Sequence, residues 1–179
     1  MEAWPKEVEP FSFAQVNDSK YLHVTMLEYK SWIIEIIWLL ATAVLAVLVV
    51  WPIRQEIYGF PFERSNIYFI FMFVTGLRWL LFLASTPFRK NIWIKFTLIF
   101  LSIWVIIFSV NRFALFQTFI DEKGIESISM HLSEDRQIAM SKYISSEFIF
   151  FAIGTIIVCG LLPFRMIASI WRTHNLNKV

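Results

Sequence analysis

The stretch WIIEIIWLLATAVLAVLVVW, from Trp32 to Trp51, holds a single formal charge, Glu35, in twenty positions. Within it, Ala41 to Val50 is apolar on every face, whereas a helix resting on a soluble core keeps one polar face for water. As a helix the segment separates its two tryptophans by about 28 Å at ~1.5 Å per residue, close to the ~30 Å of hydrocarbon in a bilayer. Trp is enriched at both membrane–water interfaces, so Trp32 and Trp51 read as the two ends of a transmembrane span, which Pro52 is expected to stop.

Working outward, three more apolar runs of similar length occupy residues 66–86, 92–110 and 146–168. The whole chain agrees with them: 58% of its 179 residues are hydrophobic, 17% are charged, and the mean hydropathy is +0.61. Soluble domains run about 45–50% apolar and about 25% charged. A chain of this length buries only about 70% of its surface, so 19 Phe and 8 Trp would leave wide apolar patches in water. The expected fold is all-α, an integral membrane bundle of four transmembrane helices with short loops. It divides into an N-terminal segment 1–31, a transmembrane domain 32–168 and a C-terminal tail 169–179. Span one follows charges such as Glu28 and Lys30 and lacks the short apolar region and cleavage site of a signal peptide, so it is expected in the mature protein.

Charge and cysteine content exclude several classes. The formal net charge is +2 with no run of five basic residues, which argues against nucleic acid as a partner. One cysteine, Cys159, rules out an intramolecular disulfide or a CxxC pair. Counting Lys and Arg on alternate sides gives nine with the termini (Lys6, Lys20, Lys30, Arg89, Lys90, Lys95, Arg165, Arg172 and Lys178) and six opposite (Arg54, Arg64, Arg112, Lys123, Arg136 and Lys142). The positive-inside rule then places both termini in the cytoplasm, and the Phe-rich composition suggests a bacterial inner membrane.

Outside the spans, Tyr21, Leu22, Met26 and Tyr29 repeat at helical spacing after Ser19. They predict either an interfacial helix or an extension of span one. The first outer loop, Pro52 to Ser65, is aromatic and is expected to fold back onto the bilayer surface. The turn from Thr86 to Asn91 is so short that spans two and three are expected to be antiparallel neighbours. In the polar stretch Arg112 to Ser145, Asp121 to Gly124 reads as a turn and Ser133-Glu134-Asp135 as a helix start. Too short for a core of its own, it is expected to be a surface cap or a docking loop.

Arg78 stands about twelve residues into span two, where a cation costs about 2.5 kcal/mol or more. Helical side chains lean toward the N-terminus, and that end is about 18 Å away, beyond snorkelling range. Arg78 is therefore expected to face the protein interior and meet an acid. Glu35, with an axial gap of about 8 Å from the helix rise, is the best match, and Glu147 lies farther from that level. Such a pair either fixes helix register or lines an ion path. In span four Ala152, Thr155 and Cys159 share a face with Gly160 beside them, and span one offers Ala41, Thr42 and Ala46. Small residues of this kind permit close helix approach in lipid. Pro163 is the expected kink.

Catalytic patterns are missing. His23, His131 and His174 are scattered outside the spans, and no HExxH, GxSxG or phosphate-cradling loop occurs. No enzyme, cofactor or metal site is expected. The expected function is that of a non-catalytic membrane subunit of a larger assembly, of secretion or transport type, with the lipid bilayer and other membrane subunits as partners. A homo-oligomeric transporter or channel with Arg78 and Glu35 near its pathway is the alternative. A lipid-modifying enzyme using Asn111, Arg112 and Glu147 is the third.

Overall fold

A computed structural model describes residues 13–89 and 91–176, and the side chains of 29–88 and 91–175. Lys6, Lys90 and Lys178, counted above for orientation, lie outside the described residues. Four helices and no strand form among them: α1 (Phe13–Glu56), α2 (Glu63–Phe82), α3 (Ile92–Lys123) and α4 (Glu134–Leu176). All four contain a segment long and apolar enough to cross a membrane. The chain is a helical membrane protein, an all-α four-helix bundle.

Local chemistry sets the helix ends. Asn91 caps α3, its side chain accepting from the backbone amides of Trp93 and Ile94, which satisfies donors that have no intrahelical partner. Gly124 stops α3 with φ 72°, a region that costs other residues steric energy. Ser133 then opens α4, accepting from the Gln137 amide at 2.9 Å, with Glu134 and Asp135 in the first turn. The helix start expected for this stretch is present, while of the expected turn Asp121 to Lys123 are still helical and the chain leaves the helix only at Gly124.

The helices outrun the spans read from hydropathy. Pro52 does not end α1, which continues to Glu56: proline removes one amide donor, and the Ile57 amide still reaches Ile53 O at 2.8 Å. At its other end α1 extends back to Phe13 without a break, so the N-terminal helical pattern belongs to an extension of span one. Likewise α4 passes through Pro163 and covers most of the expected tail.

Packing follows the order α1, α2, α4, α3. The centre is the parallel pair α2 and α4, with α1 on α2 and α3 on α4. The expectation that α2 and α3 are close neighbours is corrected. Their backbones hardly meet, and between them lies a cleft of about 120 Å³ lined by residues such as Thr75, Trp79, Leu101 and Cys159. A short turn fixes where helix ends meet, and α4 takes the space along their length.

The largest buried cluster sits at the end opposite the termini, here called the hairpin end. Ile53, Ile57, Phe60, Phe69, Phe116, Ile144, Phe148 and Ala152 converge there. Phe148 stacks on Phe116 at 3.8 Å and meets Phe69 edge-on at 5.2 Å. The first outer loop folds back onto this cluster. Its Ile57 and Phe60 are buried, and Tyr58 alone of its aromatics stands fully clear. The Arg112 to Ser145 stretch forms the end of the α3–α4 hairpin and packs over that cluster.

Phe148→Ala is expected to destabilise the detergent-solubilised protein by about 3–5 kcal/mol. Tyr58→Ala is expected to change stability by no more than about 0.5 kcal/mol. Denaturant unfolding followed by tryptophan fluorescence separates the two.

Candidate functional site

Arg78 lies on the face of α2 turned toward α1, and Glu35 on the face of α1 turned toward α2. Both are 6% exposed. Arg78 Nε donates to Glu35 Oε2 and Arg78 Nη2 to Glu35 Oε1, each at 3.4 Å. The planar guanidinium meets the carboxylate as a fork. One turn beyond Glu35, the Trp38 ring lies 5.1 Å from the guanidinium carbon, adding a cation–π contact. The two intramembrane charges named from the sequence are thus brought together, through two of the five guanidinium N–H donors.

The helix-packing candidates on α4 divide. Ala152 and Thr155 are fully buried against α2, and the Thr155 hydroxyl donates to Phe69 O of α2 at 3.0 Å. Cys159 is buried on the floor of the α2–α3 cleft. Gly160 is not a close-approach position: a Cβ placed there would meet nothing within 4 Å. The tight contacts are at Gly154, where a Cβ would come 2.7 Å from the Phe73 ring, and Gly76, where it would come 2.8 Å from Val158. On α1, Thr42 and Ala46 are buried and Ala41 is exposed.

Other polar contacts were not foreseen. Asn66 of α2 donates through Nδ2 to Glu147 Oε2 of α4 at 2.6 Å, both residues being buried. Arg165 Nε donates to Leu80 O at 3.2 Å, close to the α2 C-terminus, where carbonyls lack intrahelical donors and carry partial negative charge. At the hairpin end, Tyr143 donates to Val49 O at 2.9 Å, the His131 ring meets Glu56 O at 2.7 Å, and Arg136 reaches the Glu56 carboxylate at 3.7 Å. Lys95, counted above on the side of the termini, is in the first turn of α3 and 1% exposed. One signal was available for Asn66 and Glu147: each is a polar residue at the hairpin-side edge of its own span.

The residues suggested for lipid chemistry do not converge. Glu147 is held inside the α2–α4 contact, while Asn111 and Arg112 are exposed, Arg112 lying over Phe108 at 5.0 Å. Among the described residues no group of three or more His, Cys, Asp and Glu is placed to hold a metal ion. The chain matches no protein-family model, and neither curated proteins nor solved structures provide a relative. Its functional reading therefore rests on its own residues.

Two tests follow from this geometry. Arg78→Ala, which leaves Glu35 as an unpaired buried charge, is expected to cost about 3–5 kcal/mol. The Arg78→Ala, Glu35→Ala double variant should recover much of that loss in a double-mutant cycle. Gly154→Ala should cost about 1–3 kcal/mol through overpacking against Phe73, and Gly160→Ala should be neutral or stabilise by up to about 1 kcal/mol. Melting temperatures in detergent report both.

Proposed function

We propose that the chain is a non-catalytic integral membrane subunit of a larger assembly, of secretion or transport type, which it serves by scaffolding or anchoring partner subunits. We place it in a bacterial inner membrane with both termini in the cytoplasm. The observation that carries this reading is the length of the helices. At ~1.5 Å per residue, the 44 residues of α1 measure about 66 Å and the 43 of α4 about 65 Å, against ~30 Å of hydrocarbon. Residues 111–123 of α3 and 134–145 of α4 form a helical hairpin of about 18–20 Å that packs against the end of α1 and the α1–α2 loop, while α1 runs about 28 Å before Trp32. Helical projections on both sides of a membrane would be surfaces on which other subunits can dock.

The closed Arg78–Glu35 pair adds support. A gating or path-lining pair faces a polar channel, and these two residues are buried, facing each other and Trp38. That arrangement suits a fixed contact between α1 and α2 better than a conduction route.

Asp121, Glu122 and Lys123 stand exposed at the tip of the hairpin. Purification of the tagged protein from its native membrane in mild detergent, with mass by light scattering and composition by mass spectrometry, is expected to give stoichiometric foreign subunits. Charge reversal at Asp121 and Glu122 is expected to release them without lowering the melting temperature. A clean homo-oligomer with no foreign subunit would overturn the reading in favour of the transporter or channel.

A further inference from the structure

Asn66 is fully buried, Glu147 is 8% exposed, and a single hydrogen bond, Asn66 Nδ2 to Glu147 Oε2 at 2.6 Å, joins them. Each partner keeps one buried oxygen with no hydrogen-bond partner, Asn66 Oδ1 and Glu147 Oε1. An amide offers one donor group and one acceptor, and an ionised carboxylate offers acceptors only. With Glu147 ionised, both remaining oxygens are acceptors and neither can satisfy the other, a costly arrangement in an apolar interior. One hydrogen on Glu147 Oε1 changes this. The O–H then donates to Asn66 Oδ1 while Asn66 Nδ2 donates to Glu147 Oε2, and the two planar groups close a ring of two hydrogen bonds.

We propose that Asn66 and Glu147 form a proton-binding site, in which Glu147 is held as the neutral carboxylic acid in a two-bond ring with Asn66 that ties α2 to α4. The charged and titratable groups around this level are engaged elsewhere or exposed. On α4, Tyr143 donates to Val49 O and Lys142 is exposed. Arg54 of α1 is bonded to Glu63 of α2, and Glu56 of α1 faces Arg136 of α4. Arg64 of α2 is exposed, and Arg112 of α3 lies over Phe108. Tyr68 of α2 and Ser109 of α3 bring no formal charge, and their hydroxyls lie beside each other. None of these cations is bonded to Glu147, so a proton is the economical way to satisfy both oxygens. The site is a property of the isolated chain and stands whether or not foreign subunits bind the hairpin.

The test uses the full chain in lipid nanodiscs at neutral pH. The infrared difference between wild type and Glu147→Gln is expected to contain the carbonyl stretch of a protonated carboxyl, lost in the variant. The glutamine amide can both donate to Asn66 Oδ1 and accept from Asn66 Nδ2, so Glu147→Gln is expected to melt with wild type, while Glu147→Ala and Asn66→Ala melt lower. A carboxylate signal from Glu147, or a Glu147→Gln variant that melts as low as Glu147→Ala, would overturn the proposal. A melting temperature that rises with sodium in place of protons would overturn it as well, by assigning the oxygens to a metal cation.

Discussion

Inside hydrocarbon, a leucine gains little by leaving lipid for another helix, so apolar burial alone cannot assemble this bundle. The outward faces of α1 and α3 show it: Ile36, Leu40, Val44 and Leu48, and Phe100, Ile103, Trp104 and Ile107, are all exposed and all at home in lipid. What holds the helices is close approach and directed hydrogen bonding, and both concentrate on the parallel pair α2 and α4. From the hairpin end to the termini this pair is joined by Asn66 to Glu147, Thr155 to Phe69 O, and Arg165 to Leu80 O. Between these rungs Gly154 and Gly76 let Phe73 and Val158 seat against the opposite backbone. The flanking helices are hung on this pair, α3 on α4 and α1 on α2.

At the hairpin end the balance changes, because water is available again and apolar burial regains its driving force. There the chain builds its largest core, with Phe60, Phe69, Phe116 and Phe148 meeting at the junction of the α1–α2 loop and the α3–α4 hairpin. Phe62, half-buried, bridges the parts, its ring within 6.1 Å of those of Phe60, Phe116, Phe119 and Phe148. Aromatic pairs of this kind add about 0.5–1.5 kcal/mol beyond their burial. Hydrogen bonds and glycine contacts thus run along α2 and α4, and aromatic packing is densest at the hairpin end, the two meeting at Phe69 and Phe148.

The number of spans could be read because a run apolar on all faces has one stable solvent, and Arg78 with Glu35 could be read because two opposite charges at similar depth have few alternatives. Asn66 and Glu147 escaped for the same reason in reverse: a polar residue at a span edge is ordinary, and only the packing of α2 on α4 makes these two a buried pair. Hydropathy marks where lipid ends rather than where a helix ends, which is why α1, α3 and α4 all proved longer than their spans. The glycines give a similar lesson. Gly160 lies beside a stripe of small residues yet faces open space, whereas Gly154, one residue before Thr155, faces Phe73. Composition names small residues, and only the neighbouring helix decides which of them is a contact.

The fastening of α1 bears on what the bundle can do. Near the termini α1 is held by the Glu35–Arg78 fork, and at the hairpin end by Tyr143 on Val49 O and by His131 and Arg136 on Glu56. Between these anchors Thr42 turns its hydroxyl back to Trp38 O of its own helix, and a groove of about 250 Å³ opens between α1 and α2, lined by residues such as Ala43, Val47 and Phe71. A helix pinned at both ends cannot slide along its neighbour without separating a buried ion pair, which leaves both charges uncompensated in an apolar setting. Alternating access by rocking one bundle against another needs interfaces that exchange partners at low cost. Pinning of this kind instead keeps the two ends of a long helix at a fixed distance across the membrane. That is the mechanical property the scaffold role proposed above would require.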